Sequence, residues 1–197
     1  MNSRERRERE KTVIENKIFD AAVAIILAEG IEKLSIRKIS GKIGYAPATI
    51  YNYYENKEEI LNHISYTVYL EVVEEVKKTV EVSSHLQPNE LIRMCSLIFI
   101  YTMMKYPEKF KAIMMTSPKI EDEKMEEDNQ GIGILQQLIL TGKEQGMFSA
   151  ANEHSAELHL IALMGFVFHC VSNNMVLDKA GKQMAEAYVD MLIRGLG

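Results

Sequence analysis

Three histidines, two cysteines and one run of hydroxyl-bearing aromatics are the side chains here with most chemical reach. His154, His159 and His169 are five and ten residues apart, whereas a pair of metal ligands on one helix face sits one turn apart. No metal site is expected from them, and no cofactor. Cys95 and Cys170 each lie in an apolar stretch without a second cysteine at close spacing, which reads as two buried free thiols. Gly131-Ile132-Gly133 lacks the third glycine and the preceding strand of a dinucleotide loop, and neither GxSxG nor GxxxxGK[ST] occurs. An enzyme is therefore not expected. There remains Thr49-Ile50-Tyr51-Asn52-Tyr53-Tyr54. An isolated Tyr-x-Tyr is more often packing than chemistry, so its role depends on the elements that carry it.

Those elements are helical. Ile14, Ile18, Ala21, Ala22, Ile25 and Ile26 recur at steps of three and four and predict a helix from Val13 to Glu29, with Gly30 as its stop. Ser35 is a good N-cap for a short helix whose inner stripe is Ile36, Ile39 and Ile43, and Gly44 suits a tight turn. A second short helix is expected from Pro47, favoured at a first helical position, to about Tyr53. Asn56 with Glu59 resembles a capping box opening a long helix with Leu61, Ile64, Val68, Val72 and Val76 on one face. Two short helices joined by a glycine-containing turn and packed on a preceding helix form a helix-turn-helix. Further helices are expected over Asn89–Lys105, Glu108–Thr116, Gly131–Glu144, Ser155–Asn173 and Lys179–Arg194, with the acidic stretch Glu121–Asp128 as a solvated loop or frayed helix end.

Composition bounds the possibilities. The chain has 197 residues, 47% of them hydrophobic, enough for a sizeable core. Its N-terminus is charged where a secretory signal needs an apolar stretch, and no run approaches the roughly 20 apolar residues of a membrane span. A cytoplasmic protein without a membrane partner is expected. The net charge of −5 argues by itself against nucleic acid, because such affinity rests on cations meeting phosphates. Its distribution points the other way: eleven basic residues face eight acidic ones up to Lys57, and twelve face twenty after it.

The stretch GIEKLSIRKISGKIGYAPATIYNYYENKEEIL, Gly30 to Leu61, resembles the DNA-binding signature of the TetR family of transcriptional regulators. Agreement extends over roughly residues 12 to 65, and Thr49 to Tyr54 followed by Asn56-Lys57-Glu58 is its most diagnostic part. The resemblance implies DNA contact by Arg37 in the first short helix and by Thr49, Tyr51 and Tyr53 in the second, flanked by Ser35 and Lys57. The chemistry is consistent: hydroxyls and an ammonium hold phosphates, and a guanidinium can fork onto a guanine edge. Ile39, Ile43, Ile50 and Tyr54 are assigned to the core. One departure concerns Ala46-Pro47-Ala48, where relatives often carry a hydroxyl residue, lysine and glycine. It bears on which operator is read rather than on DNA binding. The arm Arg4, Arg6, Arg7, Arg9 and Lys11 alternates with Glu5, Glu8 and Glu10 and fits a solvated helical extension as well as an arm along DNA.

The resulting expectation is an all-α chain: a three-helix helix-turn-helix domain at 1–57, and a helical bundle at 58–197 for ligand binding and dimerisation. Met94, Met103, Met104, Phe110, Met114, Met115, Phe166 and His169 are candidates for a pocket taking a small, largely apolar effector. Leu158, Ala162, Gly165 and Phe166, with Met184, Tyr188 and Met191, are candidates for a homodimer interface. The function implied is a ligand-responsive regulator, a repressor released from palindromic double-stranded operator DNA by its effector. The rivals are a helical carrier or enzyme that keeps the helix-turn-helix as scaffold, and an RNA-binding module using the GxxG turn Gly41–Gly44.

Overall fold

The computed structural model describes residues 3–115 and 130–197; the expected loop Glu121–Asp128 lies outside them. Among the described residues the chain is helical without a strand, as the apolar periodicity requires. In order these are α1 (Ser3–Glu29), a 3-10 turn (Ile31–Lys33), α2 (Ile36–Ile43), α3 (Pro47–Ile50), α4 (Lys57–Val82), α5 (Pro88–Lys105), α6 (Pro107–Met115), α7 (Gln130–Glu144), α8 (Ser155–Ser172) and α9 (Lys179–Arg194). They fall into two compact units. The first runs to Val68 and takes in α6 from Glu108; the second holds Tyr69–Pro107 and the chain from α7 to Gly197.

In the first unit, Ile18, Ala22, Ile26, Ile39, Ile50, Ile60 and Ile64 are fully sealed from solvent around one core, with Tyr54 at its edge. Local chemistry sets the helix ends. The Ser35 hydroxyl accepts from the Lys38 backbone N–H at 3.3 Å, satisfying a donor that the first turn leaves orphaned. Gly44 closes α2 in the left-handed region at φ 74°. Asn56 accepts from Glu59 N–H at 2.8 Å, while the Glu59 carboxylate reaches back to Glu55 N–H. The reciprocal cap predicted for α4 is therefore present, displaced by one residue.

Gly44 and Gly41 separate backbone from packing. A Cβ at either position would meet nothing within 4 Å, so substitution acts through the backbone alone, by strain at Gly44 and by helix propensity at Gly41. Gly44→Ala is expected to cost about 1 to 2 kcal/mol because it forces a side chain into the left-handed region. Gly41→Ala, inside α2, is expected to stabilise by up to about 1 kcal/mol. Urea unfolding of both variants checks the pair, and equal midpoints would contradict it.

In the second unit α5 is central and packs against α7, α8 and α9. Leu91, Ile92, Ile100, Met103, Leu163, Val167 and Val189 fill the interior, together with the thiols of Cys95 and Cys170. Polar ties fix the packing. Arg93 Nε donates to Asp190 Oδ1 at 2.7 Å, and the Tyr188 hydroxyl donates to the Ala162 carbonyl at 2.8 Å. Ser96 Oγ and His159 Nε2 meet at 2.8 Å with both residues buried.

Helix α8 differs from the expectation in one respect. It is long and apolar enough to cross a membrane by length and composition, although the sequence reading expects no such run. Its apolar residues divide between a buried side, with Leu163, Val167 and Cys170, and an outward side.

Candidate nucleic-acid interface

Around α3 the chain sorts its side chains by face. Ile50 and Tyr54 point into the core, while Thr49 and Tyr53 are half-buried and Tyr51 is 56% exposed. The regular helix stops at Ile50, earlier than the expected Tyr53. Tight turns carry it on, with Tyr53 N–H and Tyr54 N–H both donating to the Ile50 carbonyl at 2.9 and 3.0 Å. Thr49, Tyr51 and Tyr53 thus stay on one continuous right-handed coil.

Tyr54 anchors the end of that coil. Its hydroxyl lies 2.6 Å from His63 Nδ1 on α4, and the His63 ring packs on Phe19 of α1 with centroids 5.0 Å apart. Burial pushes the Tyr54 phenol well above its ordinary range, and Glu15 and Glu59 add to the shift. The phenol stays neutral, and through His63 it ties the end of the coil to α4 and α1.

Arg37 is exposed on α2 and its hydroxyl-bearing neighbour Ser35 is half-buried, its oxygen engaged as the N-cap. Lys57 opens α4, half-buried. All six residues singled out from the sequence therefore belong to the first unit. On α2, the neighbouring Lys38 is held by Glu29 of α1.

The residues of the other two candidate sites are distributed differently. Met103 is buried, Met94, Met104 and Phe166 are half-buried, and His169 is exposed, all in the second unit. Phe110 is buried and Met114 is 43% exposed, and both lie on α6 in the first unit. Met115 is helical. Of the interface candidates, Leu158, Gly165 and Met191 are exposed, whereas Ala162, Phe166, Met184 and Tyr188 are half-buried. Phe166 stacks on Tyr188 at 4.7 Å between centroids. Sequence reasoning missed Phe168, which is 51% exposed in line with Leu158 and Ile161, each 58% exposed. The signal was the spacing 158, 161, 165, 168, one apolar or small residue per turn.

Residues 18–64 match the profile described as bacterial regulatory proteins, tetR family. The match covers the helix-turn-helix and its flanking helical segments, 47 of 197 residues. An uncharacterised HTH-type transcriptional regulator of Haemophilus influenzae is 34% identical over 59 residues, which cover 30% of this chain and 32% of that relative. The match thus spans about a third of the curated protein. Among solved structures, a TetR family transcription regulator from Marinobacter aquaeolei VT8 superposes with a TM-score of 0.67 at 20% identity, covering 96% of this chain and 98% of that one. The regulator FadR from Bacillus subtilis, solved in complex with stearoyl-CoA, gives 0.70 at 19% identity, covering 92% and 98%. At such identities the likeness shows a shared fold along nearly the whole chain.

Proposed function

We propose that this chain is a cytoplasmic homodimeric regulator of the TetR family that binds a two-fold-symmetric operator through α2 and α3 and is released by a small, largely apolar effector. The observation that carries the reading is the division of one short coil into a core side, Ile50 and Tyr54 with Tyr53 packed against the same cluster, and an outward side, the exposed Tyr51 with the half-buried Thr49, beside the exposed Arg37. An outward row of hydroxyls and a guanidinium is suited to phosphate oxygens and guanine edges. In a dimer, two such coils would enter successive major grooves about 34 to 36 Å apart.

The effector reading rests on chemistry of the second unit. Its described interior is apolar apart from Ser96, Ser155 and His159, and a ligand seated among such side chains would itself be mostly apolar. The stearoyl-CoA complex of the Bacillus subtilis relative makes an acyl-chain compound a sensible first compound to try. Release requires that the effector favour a subunit geometry unsuited to the operator, so operator binding must weaken effector binding by the same factor.

Arg37→Ala is expected to weaken binding to a duplex selected from a randomised library by about 1 to 3 kcal/mol and to relax preference at one base pair. Tyr51→Phe, which removes one exposed hydroxyl, is expected to weaken it less, with helical circular dichroism unchanged. Gel-shift titrations at two salt concentrations measure both. Unchanged affinity in the two variants would overturn the assignment, and retention of a matched RNA in preference to duplex DNA would point to the GxxG turn instead.

A further inference from the structure

Helix α1 begins ten residues before its apolar stripe, at Ser3 rather than Val13, and every residue from Glu5 to Val13 is exposed. This segment buries nothing, and a helix of about three turns is marginal without tertiary support. Its charges are divided between faces. Arg6 Nε donates to Glu10 at 2.9 Å on one side. Arg7 and Lys11 precede Ile14 and Ile18 at steps of four, three and four, so all four project from one face of α1. Ile18 is buried in the core and Ile14 packs against it.

Two contacts fix which end of the helix-turn-helix the segment leaves from. Glu29, at the far end of α1, holds Lys38 in the first turn of α2. Lys17 Nζ lies 5.8 Å above the ring of Tyr45, in the turn that leads into α3 at Pro47. As α1 is followed backward, α2 is thus followed forward, and the segment before Val13 projects past the turn where α3 begins. The recognition helix of this motif presents its N-terminal residues to the groove.

We infer that Arg7 and Lys11 form a second nucleic-acid contact, an arm about 13 Å long that grips the phosphate backbone flanking the bases read by α3. This rests on the DNA-binding reading above and extends it to a part of α1 outside residues 18–64, the segment matched by the family profile. The occupant is duplex phosphate, because the face offers two cations one helical turn apart and no apolar group to bury. The Arg6–Glu10 pair on the neighbouring face supports the helix that carries them.

The test compares two variants of the full chain on a duplex selected by the wild type. In Arg7→Gln/Lys11→Gln the slope of log affinity against log salt is expected to fall by about 1 for each contact removed, about two per chain. Base preference should stay unchanged, since phosphates carry no sequence information. Arg6→Gln removes a cation from the paired face and is expected to leave the slope within error of the wild type. Glutamine keeps helix propensity, and circular dichroism checks that the arm remains folded. A double variant whose slope matches Arg6→Gln overturns the arm while leaving recognition by α3 standing. A wild type that selects no duplex at all overturns the DNA-binding reading, and the arm with it.

Discussion

Ile161→Glu and Phe168→Glu are each expected to turn a dimer into a monomer and to lower affinity for a two-half-site duplex by about 100-fold or more. Both side chains are more than half exposed on α8, in line with Leu158 and Gly165, and Met191 of α9 is exposed as well. An apolar row of this kind on two helices can be covered by the same row of a second copy about a two-fold axis. A glutamate there places a charge in the seam without touching the core, so helical circular dichroism should be preserved. Tyr188→Glu is a poorer probe. It would also break the stack on Phe166 and the hydrogen bond to Ala162, confusing folding with assembly. Light scattering across a concentration series measures the change, and a wild type that is monomeric at micromolar concentration would sink both the interface and the groove spacing built on it.

Acidification is expected to unfold the second unit partly through His159. Burial holds its imidazole neutral, down at about 4 against an ordinary 6.5, where it meets the Ser96 hydroxyl. Below pH 6.5 the unfolded chain takes up a proton that the folded chain refuses until about pH 4. Stability is therefore fully present above 6.5 and is lost as pH falls through that window, by up to about 3 kcal/mol. His159→Gln removes the titration while keeping a polar partner for Ser96. Urea midpoints compared at pH 7 and pH 4.5 should fall further for the wild type than for the variant. Parallel declines would show that carboxylates elsewhere account for the acid sensitivity.

The helices are readable from the sequence wherever burial imposes a period, as with Ile14 to Ile26 in α1 and Leu61 to Val76 in α4. Caps are readable where one residue type performs one task, as Ser35 and Gly44 do. The start of α1 is not, because residues before Val13 form a helix without burying anything, and apolar spacing is silent about such a segment. The pairing of Ser96 with His159 joins positions 63 apart, and no local pattern encodes a contact of that range. Phe110 shows the same limit: its apolar helix suits the second unit in the sequence, yet it groups with the first. The six residues proposed to contact DNA are legible because the motif is continuous, with accessible and sealed positions alternating over a few residues. Phe168 escapes notice beside Phe166, two positions away on the same helix, since neighbouring phenylalanines differ only in which way the helix turns them.

The two cysteines have a practical bearing on how motion in this molecule can be followed. Both are buried, and burial pushes the Cys95 thiol up to about 11 and raises that of Cys170, so at neutral pH neither presents a thiolate to an alkylating reagent. A single cysteine introduced at an exposed site outside the proposed DNA and dimer surfaces, such as Glu32 or Val82, can then carry a fluorophore or spin label with the native sulfurs left in place. Distances between labels on paired chains, taken with and without duplex and with and without an acyl compound, would report subunit separation directly.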